Sequence, residues 1–272
     1  GVLTEVGRIQ HYSVPRSPGH GRVDSGIGVG DDITPYYDSM IAKLIVWDET
    51  RPQALARMRG ALADTRIVGV ANNVAFLGRL VSCPAFTAAD LDTALIEREQ
   101  QFLFPEQHEP GREVWLAAAV ATLTREGSGA GSAPWETTDG WRLGGRAQRS
   151  LKFRAGDAEK SILISYLPAG WQMQLDGLDA IVMGRVLESG ALQLIVDTAR
   201  RELTVIGSGD DQHVFLDGEC HVLSRIDPLQ GAATAAAGPA GLASPMPGRV
   251  IALLAEVGAQ VTKGTPLLVL EA

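Results

Sequence analysis

The spacing of apolar residues divides the 272-residue chain into zones of different secondary structure. Residues 1–47 carry short apolar runs between turn residues, which is typical of β-strands. From Thr50 the spacing becomes helical, and Leu55, Met58 and Leu62 recur on one face of a predicted helix. The chain therefore begins with a mixture of strands and helices.

Three more helices are predicted in the first half of the chain. One runs from about Asn73 to Val81. Another begins at Thr87, because Asp90 would lie in its first turn and interact favourably with the helix dipole. The mixed zone ends near Phe104-Pro105. An isolated alanine-rich helix follows from about Arg112 to Arg125, and a glycine- and serine-rich stretch ends it.

Residues 135–227 consist of short apolar runs separated by turn residues. Asp176-Gly177, Ser189-Gly190 and Asp217-Gly218 lie where hairpins would turn, because such pairs tolerate the backbone of two-residue turns. About eight strands at this spacing predict an antiparallel sandwich or barrel. The runs are Ser150–Phe153, Ser161–Leu167, Trp171–Leu175, Ile181–Leu187, Ala191–Val196, Glu202–Ile206, His213–Leu216 and Cys220–Ile226.

The end of the chain divides into a linker and a short β segment. Residues 231–243 are mainly alanine, glycine and proline, which cannot build a core, so they predict a flexible tether. Residues 244–272 have the pattern of three short strands, with turns at Gly258 and Lys263-Gly264. This segment is too short to bury its own apolar face, so we expect the natural chain to continue beyond Ala272.

Composition narrows the classes of partner. The formal net charge is −8, and the basic residues are dispersed, which argues against nucleic acid or an anionic membrane surface as the main partner. Cys83 and Cys220 are too few and too far apart for a disulfide framework, so a reducing compartment is expected. The longest apolar helical stretch, around Leu116–Val120, is far shorter than the ~20 residues of a membrane span.

His213, Cys220 and His221 are the residues that most suggest a metal site. Adjacent residues on a strand point to opposite faces, so Cys220 and His221 cannot share a metal ion without distortion. We therefore expect structural roles for these residues and no metal site.

The last segment carries the most specific motif. Ser244-Pro-Met-Pro-Gly248, the turns named above and the final run from Pro266 resemble the first half of a biotinyl carrier domain. A lipoyl domain is the alternative, but it lacks the Pro-Met-Pro-Gly opening. The resemblance implies that the biotinyl lysine lies just beyond Ala272, within a Met-Lys-Met hairpin. Lys263 lies in a turn and is not expected to be the acceptor.

The beginning of the chain carries a second motif. Gly21-Arg-Val-Asp-Ser25, followed by Pro35-Tyr-Tyr-Asp-Ser-Met-Ile-Ala-Lys-Leu44, resembles the C-terminal part of the biotin carboxylase domain of the ATP-grasp superfamily, and the resemblance extends to about Phe104. It implies that Arg22 is a catalytic residue that lies against the ureido oxygen of biotin. A guanidinium does not lose its proton and would stabilise negative charge there. The alternative for Arg22 is a surface arginine beside a turn, and structural roles are expected for Tyr37, Asp38 and Lys43.

The same resemblance places the ATP loop, the metal-binding glutamates and the bicarbonate-binding residues upstream of Gly1. Gly26-Ile-Gly-Val-Gly30 has the glycines of a phosphate loop but no following helix and no Lys-Ser/Thr pair, so it is predicted to be a turn. We therefore expect that this fragment alone does not bind ATP productively.

The middle of the chain carries the third motif. Pro134-Trp135 and Asp139-Gly-Trp-Arg-Leu143, leading into the β runs, resemble the linking domain of 3-methylcrotonyl-CoA carboxylase α subunits and their geranyl-CoA relatives. The resemblance implies a helix embraced by an antiparallel barrel that binds the carboxyltransferase β subunit. Tryptophans anchor many interfaces. All four in this region could instead belong to the barrel core, which is favoured for Trp171, whereas Trp135 and Trp141 flank a predicted exposed turn.

Together the motifs predict an α+β chain in the order of one known polypeptide. Residues 1–104 would be the C-terminal subdomain of biotin carboxylase, 105–230 a linking domain of one helix and about eight strands, 231–243 a linker, and 244–272 half of a biotinyl carrier β-sandwich. The implied protein is part of the α subunit of a biotin-dependent acyl-CoA carboxylase, a ligase, with 3-methylcrotonyl-CoA favoured as substrate.

The resemblance also implies cofactors and partners. These are biotin, ATP with Mg or Mn in the parent enzyme, the carboxyltransferase β subunit in a hetero-oligomer, and an acyl-CoA bound through that subunit. The expected location is the bacterial cytoplasm, or the mitochondrial matrix in a eukaryote. Alternatives are a geranyl-CoA or propionyl-CoA carboxylase α subunit, and a non-catalytic carrier and assembly module.

Overall fold

The computed structural model describes residues 7–15, 20–34, 40–106, 108–128, 140, 142, 144–227, 249–255 and 265–271. The chain divides into two compact units, Gly1–Asp227 and Pro228–Ala272. The first unit contains a mixed α/β part and a β-barrel around a helix. None of the helices in the described part is long and apolar enough to cross a membrane.

The mixed part, which we call the N-terminal subdomain (residues 7–106), contains three two-stranded antiparallel ribbons and five helices among its described residues. The ribbons pair β1 with β4, β2 with β6 and β3 with β5. The elements are β1 (Gly7–Arg8), β2 (His11–Ser13), β3 (Gly21–Ser25), β4 (Asp32–Ile33), β5 (Ala42–Val46), α1 (Arg51–Ala63), β6 (Arg66–Val68), α2 (Val74–Ser82), α3 (Pro84–Thr87), α4 (Leu95–Arg98) and α5 (Gln100–Leu103).

Helix α1 follows the predicted apolar spacing. Leu55 and Leu62 are buried on its inner face, where they meet Val81 of α2. Leu44 of β5 and Met58 of α1 pack against this cluster. The predicted faces of α1 and α2 therefore form the core that supports the β3–β5 ribbon.

The helix predicted to begin at Thr87 is wrong. Thr87 instead ends the short helix α3, whose first residue is Pro84, and Ala89 then adopts a left-handed backbone with a φ of 60°. Proline suits a first helical turn, and a left-handed residue stops a helix. The Asp90 carboxylate does not begin a helix; it lies 3.4 Å from the Arg98 guanidinium.

The predicted β zone forms a closed antiparallel barrel of eight strands, which decides between the two architectures expected for it. Consecutive strands pair along the chain, and the last strand closes on the first through Ser224–Ile226 and Lys152–Arg154. The strands are β7 (Gln148–Ala155), β8 (Ala158–Tyr166), β9 (Trp171–Leu175), β10 (Leu178–Val186), β11 (Leu192–Val196), β12 (Ala199–Ser208), β13 (Asp211–Leu216) and β14 (Glu219–Ile226).

Two of the predicted hairpin turns have the backbone that their residues favour. Asp176 and Gly177 have φ angles of 54° and 77°, and Asp217 and Gly218 have 51° and 83°. Two consecutive left-handed residues are typical of the two-residue turn that matches the twist of antiparallel strands. These pairs therefore set the register of β9 with β10 and of β13 with β14.

Helix α6 (Arg112–Ser128) fills the barrel. Trp115, Leu116 and the run Ala117–Val120 are fully buried, because strands surround the helix on nearly all sides. Small residues let the strands approach closely. Gly184 of β10 shows this, since a Cβ added there would overlap the Cγ1 atom of Val120.

The second unit contains two described strands, β15 (Arg249–Leu253) and β16 (Leu268–Glu271), which pair antiparallel with an irregularity between Val250 and Ala252. Ile251 and Leu253 are exposed. The described residues contain two of the three strands predicted for this segment, and the rest of it lies outside them.

Candidate functional site

Arg22 lies on the exposed face of the β3–β5 ribbon. The strand alternates, so Arg22 and Asp24 share one face while Val23 points to the other side, toward the apolar cavity between the ribbon and the helices. The side chain of Arg22 is 70% exposed, and its guanidinium lies 3.3 Å from the Asp24 carboxylate. Arg22 is therefore available to a molecule that approaches this face.

A second cation lies on the same face. Lys43 of β5 is the register partner of Asp24 across the ribbon, and it is exposed. Arg22, Asp24 and Lys43 together carry one net positive charge. This arrangement suits a ligand group that is negatively charged or that becomes so during a reaction.

The opposite side of the ribbon offers no acid–base chemistry. A cavity of about 640 Å³ lies between the ribbon and helices α1 and α2, and it is lined by residues such as Val23, Leu44 and Leu77. None of its lining side chains is ionisable; its polar groups are Thr65 and two asparagines. This cavity is therefore an apolar region of the subdomain, on the other side of the ribbon from Arg22 and Lys43.

An aromatic pair borders the ribbon. The rings of His20 and Trp47 stack with centroids 5.6 Å apart, and Trp47 is 60% exposed. Next to them, hydrogen bonds from Arg57 at 2.7 and 3.0 Å lower the pKa of the Asp48 carboxyl. Asp48 therefore stays ionised and is an anchor for α1, not a candidate acid.

A half-buried carboxylate near the last turn of α6 joins the helix to the barrel. Glu126 accepts hydrogen bonds from Arg149 at 2.6 and 3.3 Å and from Arg225 at 3.2 Å. Burial alone would raise the pKa of the Glu126 carboxyl, but the two guanidiniums outweigh it and hold the pKa below its ordinary value. The two arginines come from the strands that close the barrel, so this contact joins helix, first strand and last strand.

The other end of α6 is held by Lys160. Its ammonium group donates to Glu109, on the segment before the helix, and to Asp176, and these contacts raise the pKa of Lys160. The ammonium also lies 5.7 Å from the centre of the Trp115 ring. Farther along the helix, the side-chain amide of Gln212 donates to the Thr122 hydroxyl at 2.6 Å, and both residues are buried.

These barrel contacts hold the helix and the strands together, and a thiol and an imidazole lie close to each other elsewhere on the barrel. His213 and Cys220 lie on one face of the β13–β14 hairpin with Nδ1 and Sγ 4.0 Å apart, and His221 interacts with Glu219 instead. Loss of hydration raises the pKa of the Cys220 thiol to about 11, so the thiol is protonated at neutral pH although its side chain reaches the surface. Across the described part of the chain, no three His, Cys, Asp or Glu side chains are grouped so as to hold a metal ion.

The structure describes only some of the residues that the sequence singled out. Arg22 and Lys43 share the ribbon face, whereas Tyr37, Asp38 and Lys263 lie outside the described residues, as do Trp135 and Trp141. Trp115 is a core residue of α6, and Trp171 packs partly buried against the same core. Gly26–Gly30 ends in a turn, as predicted, and this turn leads into strand β4.

Sequence reasoning missed Asp24 as the neighbour of Arg22, although the alternation of Gly21–Ser25 already puts both on one face. It also missed the ionic contacts of Glu126 and Lys160. No local signal identifies those, because their partners are 16 to 99 residues away along the chain.

Comparison with known families assigns two parts of the chain. Residues 1–98 match the biotin carboxylase C-terminal domain, and residues 111–228 match the BT domain of the methylcrotonyl-CoA carboxylase alpha-subunit. The first match includes the Arg22 ribbon, and the second includes the barrel and its central helix.

The similar proteins include α subunits of two acyl-CoA carboxylases. The chain is 29% identical to the mitochondrial methylcrotonoyl-CoA carboxylase subunit alpha of Dictyostelium discoideum, over 99% of this chain and 41% of that protein. It is 28% identical to the protein of that name from Mus musculus, over 97% and 39%. The mitochondrial propionyl-CoA carboxylase alpha chain of Sus scrofa is 40% identical, but over 35% of this chain and 13% of that one. The chain thus spans about two fifths of the curated relatives that it matches along its whole length.

A solved structure shares part of the sequence. The biotin carboxylase domain of 2-oxoglutarate carboxylase from Hydrogenobacter thermophilus, in complex with MgADP, ADP and bicarbonate, is 35% identical over 38% of this chain and 22% of that one. Its TM-score is 0.36, which is too low to support a structural argument, so the assignment depends on the sequence matches. The chain is therefore similar to a biotin carboxylase C-terminal domain in residues 1–98 and to the BT domain of the methylcrotonyl-CoA carboxylase alpha-subunit in residues 111–228, and over its whole length it resembles methylcrotonoyl-CoA carboxylase α subunits.

Proposed function

We propose that this chain is part of the α subunit of a biotin-dependent acyl-CoA carboxylase and that the favoured substrate of the parent enzyme is 3-methylcrotonyl-CoA. The observation that carries the proposal is the order of the two matched domains in one chain, which aligns with methylcrotonoyl-CoA carboxylase α subunits over 97 to 100% of its length. The proposed reaction has two halves: carboxylation of biotin with ATP and bicarbonate, and transfer of the carboxyl group to the acyl-CoA on a β subunit.

The Arg22 face has the chemistry that biotin requires. When bound, biotin would supply a ureido nitrogen that accepts a carboxyl group once a base has removed its proton. Loss of that proton would place negative charge on the neighbouring ureido oxygen, and the guanidinium of Arg22 would donate hydrogen bonds to this oxygen. Lys43 offsets the charge of Asp24 on the same face, so Arg22 is not fully neutralised by its neighbour. ATP and Mg or Mn are proposed for the parent enzyme, and the residues that hold them are expected upstream of Gly1.

The test of the Arg22 role uses the complete subunit. Arg22→Ala should lower the rate of biotin carboxylation by one to several orders of magnitude, the scale of losing one preorganised charge contact at the reacting oxygen. Arg22→Lys should recover part of the rate, because it keeps the charge but loses the planar pair of donors. Arg59→Ala, on the exposed side of α1, is the matched control and should leave the rate unchanged.

The rate of biotin carboxylation at saturating ATP and bicarbonate decides whether Arg22 is catalytic. If Arg22→Ala carboxylates biotin at the wild-type rate, Arg22 is a surface arginine and the catalytic role is wrong. If the wild-type subunit carries no biotin, or carries lipoate, the proposed function fails as a whole. A streptavidin blot and intact-mass analysis measure the modification directly.

The substrate is tested on the complex with the β subunit. Matches to methylcrotonoyl-CoA carboxylase α subunits cover almost the whole chain, whereas the propionyl-CoA match from Sus scrofa covers 35% of it. We therefore expect 3-methylcrotonyl-CoA to give the highest kcat/KM among methylcrotonyl-, geranyl- and propionyl-CoA. A higher value for propionyl-CoA or geranyl-CoA would contradict this choice while leaving the carboxylase assignment in place.

The barrel is proposed to bind the carboxyltransferase β subunit. The described part of the barrel carries no catalytic set, and its polar contacts hold its own helix. Trp135 and Trp141 are the proposed contact residues. Deletion of residues 133–141 from the complete α subunit should abolish co-purification of the β subunit, with the melting temperature of the α subunit as the control for folding. Undiminished co-purification would remove this segment from the interface.

A further inference from the structure

The segment between α6 and β7 (residues 129–147) begins and ends at the same end of the barrel. Close to its two ends, Glu126 of α6 accepts a hydrogen bond from Arg149 of β7 at 2.6 Å. The chain therefore leaves and re-enters the barrel at one rim. Tyr166, the last residue of β8, lies at this rim too, because its amide N–H donates to the carbonyl of Ala147 at 3.1 Å.

Gly140, within this segment, packs directly against the ring of Tyr166. A Cβ added to Gly140 would lie 2.5 Å from Cγ, 2.8 Å from Cβ and 2.9 Å from Cδ1 of Tyr166, all well inside the optimal separation of two carbon atoms. Gly140 also has a φ of 71°, a left-handed backbone that residues with a Cβ rarely adopt. Two independent features of this position therefore require glycine.

The ring of Tyr166 is a firm support for this contact. Tyr166 pairs with Trp171 across the β8–β9 hairpin and packs, half-buried, against the hydrophobic core of the barrel. Hydrogen bonds to Glu126 and to the Tyr166 hydroxyl raise the pKa of the Arg149 guanidinium. The ring that Gly140 contacts is thus held by the core and is connected through Arg149 to helix α6.

Two other glycines of the segment differ from Gly140 in one respect. Gly144 and Gly145 have φ angles of 91° and 77°, so they share its left-handed backbone. Among the described residues, however, no atom lies within 4 Å of a Cβ added to either of them. Gly144 and Gly145 therefore need glycine for the backbone alone, whereas Gly140 also needs it for the close approach of the chain to Tyr166.

We propose that Gly140 is a positioning residue for subunit assembly: its contact with the Tyr166 ring holds the segment at one place on the barrel rim, where the carboxyltransferase β subunit binds it. The inference rests on the proposed function, in which Trp135 and Trp141 are the contact residues. Gly140 lies between them in the sequence and is one peptide unit from Trp141, so a displacement of Gly140 also displaces Trp141. Holding the segment in advance strengthens binding, because less of it has to be ordered when the subunits associate.

Gly140→Ala in the complete α subunit tests the proposal, with Gly145→Ala as the matched control. Both changes put a Cβ on a left-handed backbone, and only Gly140→Ala also forces the chain away from Tyr166. In a titration with the β subunit, Gly140→Ala should raise the dissociation constant roughly tenfold or more and Gly145→Ala less than about threefold. Both variants should carboxylate free biotin at the wild-type rate. Equal dissociation constants for the two variants would overturn the proposal.

Trypsin tests the Gly140 contact without the β subunit. Arg142 is exposed and lies two residues after Gly140. Cleavage after Arg142 should be roughly fivefold or more faster in Gly140→Ala than in Gly145→Ala, because proteases cut segments that have left the fold. Equal cleavage rates would show that Gly140 does not hold the segment. A wild-type α subunit with no affinity for the β subunit would instead refute the proposed assembly role, and the cleavage rates would still decide whether the contact exists.

A change on the other side of the contact covers the case in which Gly140→Ala does not fold. Tyr166→Ala removes the ring and should raise the dissociation constant for the β subunit roughly tenfold or more. Tyr166→Phe keeps the ring and should stay within about threefold of wild type. Carboxylation of free biotin and the melting temperature of each α subunit are the controls for folding. A folded Tyr166→Ala subunit that binds the β subunit as tightly as wild type would overturn the proposal.

Discussion

The contact between Gly184 and Val120 gives the sharpest test of the helix-filled barrel. Gly184 belongs to β10 and Val120 to α6, and a Cβ on Gly184 would overlap the Cγ1 atom of Val120. Val120 is fully buried, so it has no free space into which it can turn. Gly184→Ala should therefore force the helix and the strand apart, at the ~1–3 kcal/mol that is typical of overpacking a core.

The compensating change is Val120→Ala. It removes two buried methyl groups, and at about 0.8 kcal/mol for each group it should cost ~1.6 kcal/mol plus a cavity contribution. In the double variant the new methyl group of residue 184 occupies the space that Cγ1 has left. The double variant should therefore be more stable than the sum of the single changes predicts, by about 1–2 kcal/mol.

Urea denaturation of the four proteins measures this coupling energy. Gly78→Ala is the control of opposite sign, because Gly78 lies within α2 with no atom near its added Cβ, and alanine there should stabilise the helix by ~0.5–1 kcal/mol. Additive costs of Gly184→Ala and Val120→Ala would refute the packing, since they would mean that the two side chains do not compete for the same space.

Three further predictions concern the polar groups of the barrel. Because the pKa of Glu126 is depressed in the folded protein, its stabilising effect is complete above the ordinary carboxyl value of 4.5 and is lost as the pH falls through the folded value. The difference in melting temperature between wild type and Glu126→Gln should therefore shrink as the pH falls below 4.5. A difference that stays constant with pH would contradict the ion pairs. Thr122→Val should cost ~1–3 kcal/mol because it leaves the buried Gln212 amide unpaired, and the added change Gln212→Leu should recover part of the loss in thermal denaturation. Cys220, with a pKa of about 11, should react with iodoacetamide at pH 8 roughly tenfold or more slowly than cysteine in a peptide, as followed by mass spectrometry; equal rates would show that the thiol is not desolvated.

The helices and the hairpin turns could be predicted because their signals lie within a few residues of the sequence. The apolar spacing of α1, α2 and α6 marks helices, and the Asp-Gly pairs mark hairpins whose left-handed backbone few other residues adopt. All eight predicted strands are present, and Trp171–Leu175 has the predicted limits. The helix expected at Thr87 failed because Pro84 and Ala89, three residues before and two after it, have stronger effects on the backbone than a nearby carboxylate.

The residues of the Arg22 face could be predicted only in part. The sequence alone determined that Arg22 lies on a strand within a biotin carboxylase motif, and the alternation of that strand puts Asp24 beside it. The sequence did not determine that Lys43 is the cross-strand neighbour of Asp24, because strand register depends on pairing with a distant segment. The domain limits at residues 104 and 230 and the catalytic role of Arg22 stay predictions.

What only the tertiary structure decided is how distant segments meet. Eight strands of this length suit a sandwich as well as a barrel, and the choice is made where β14 pairs with β7 and where a helix of fully buried alanines and valine fits inside. The partners of Glu126 and the contact of Gly218 with Ala63 depend on the same closure. Local propensity acts over a few residues, whereas these contacts join residues that are 23 to 155 positions apart, so only the packing of the whole unit brings them together.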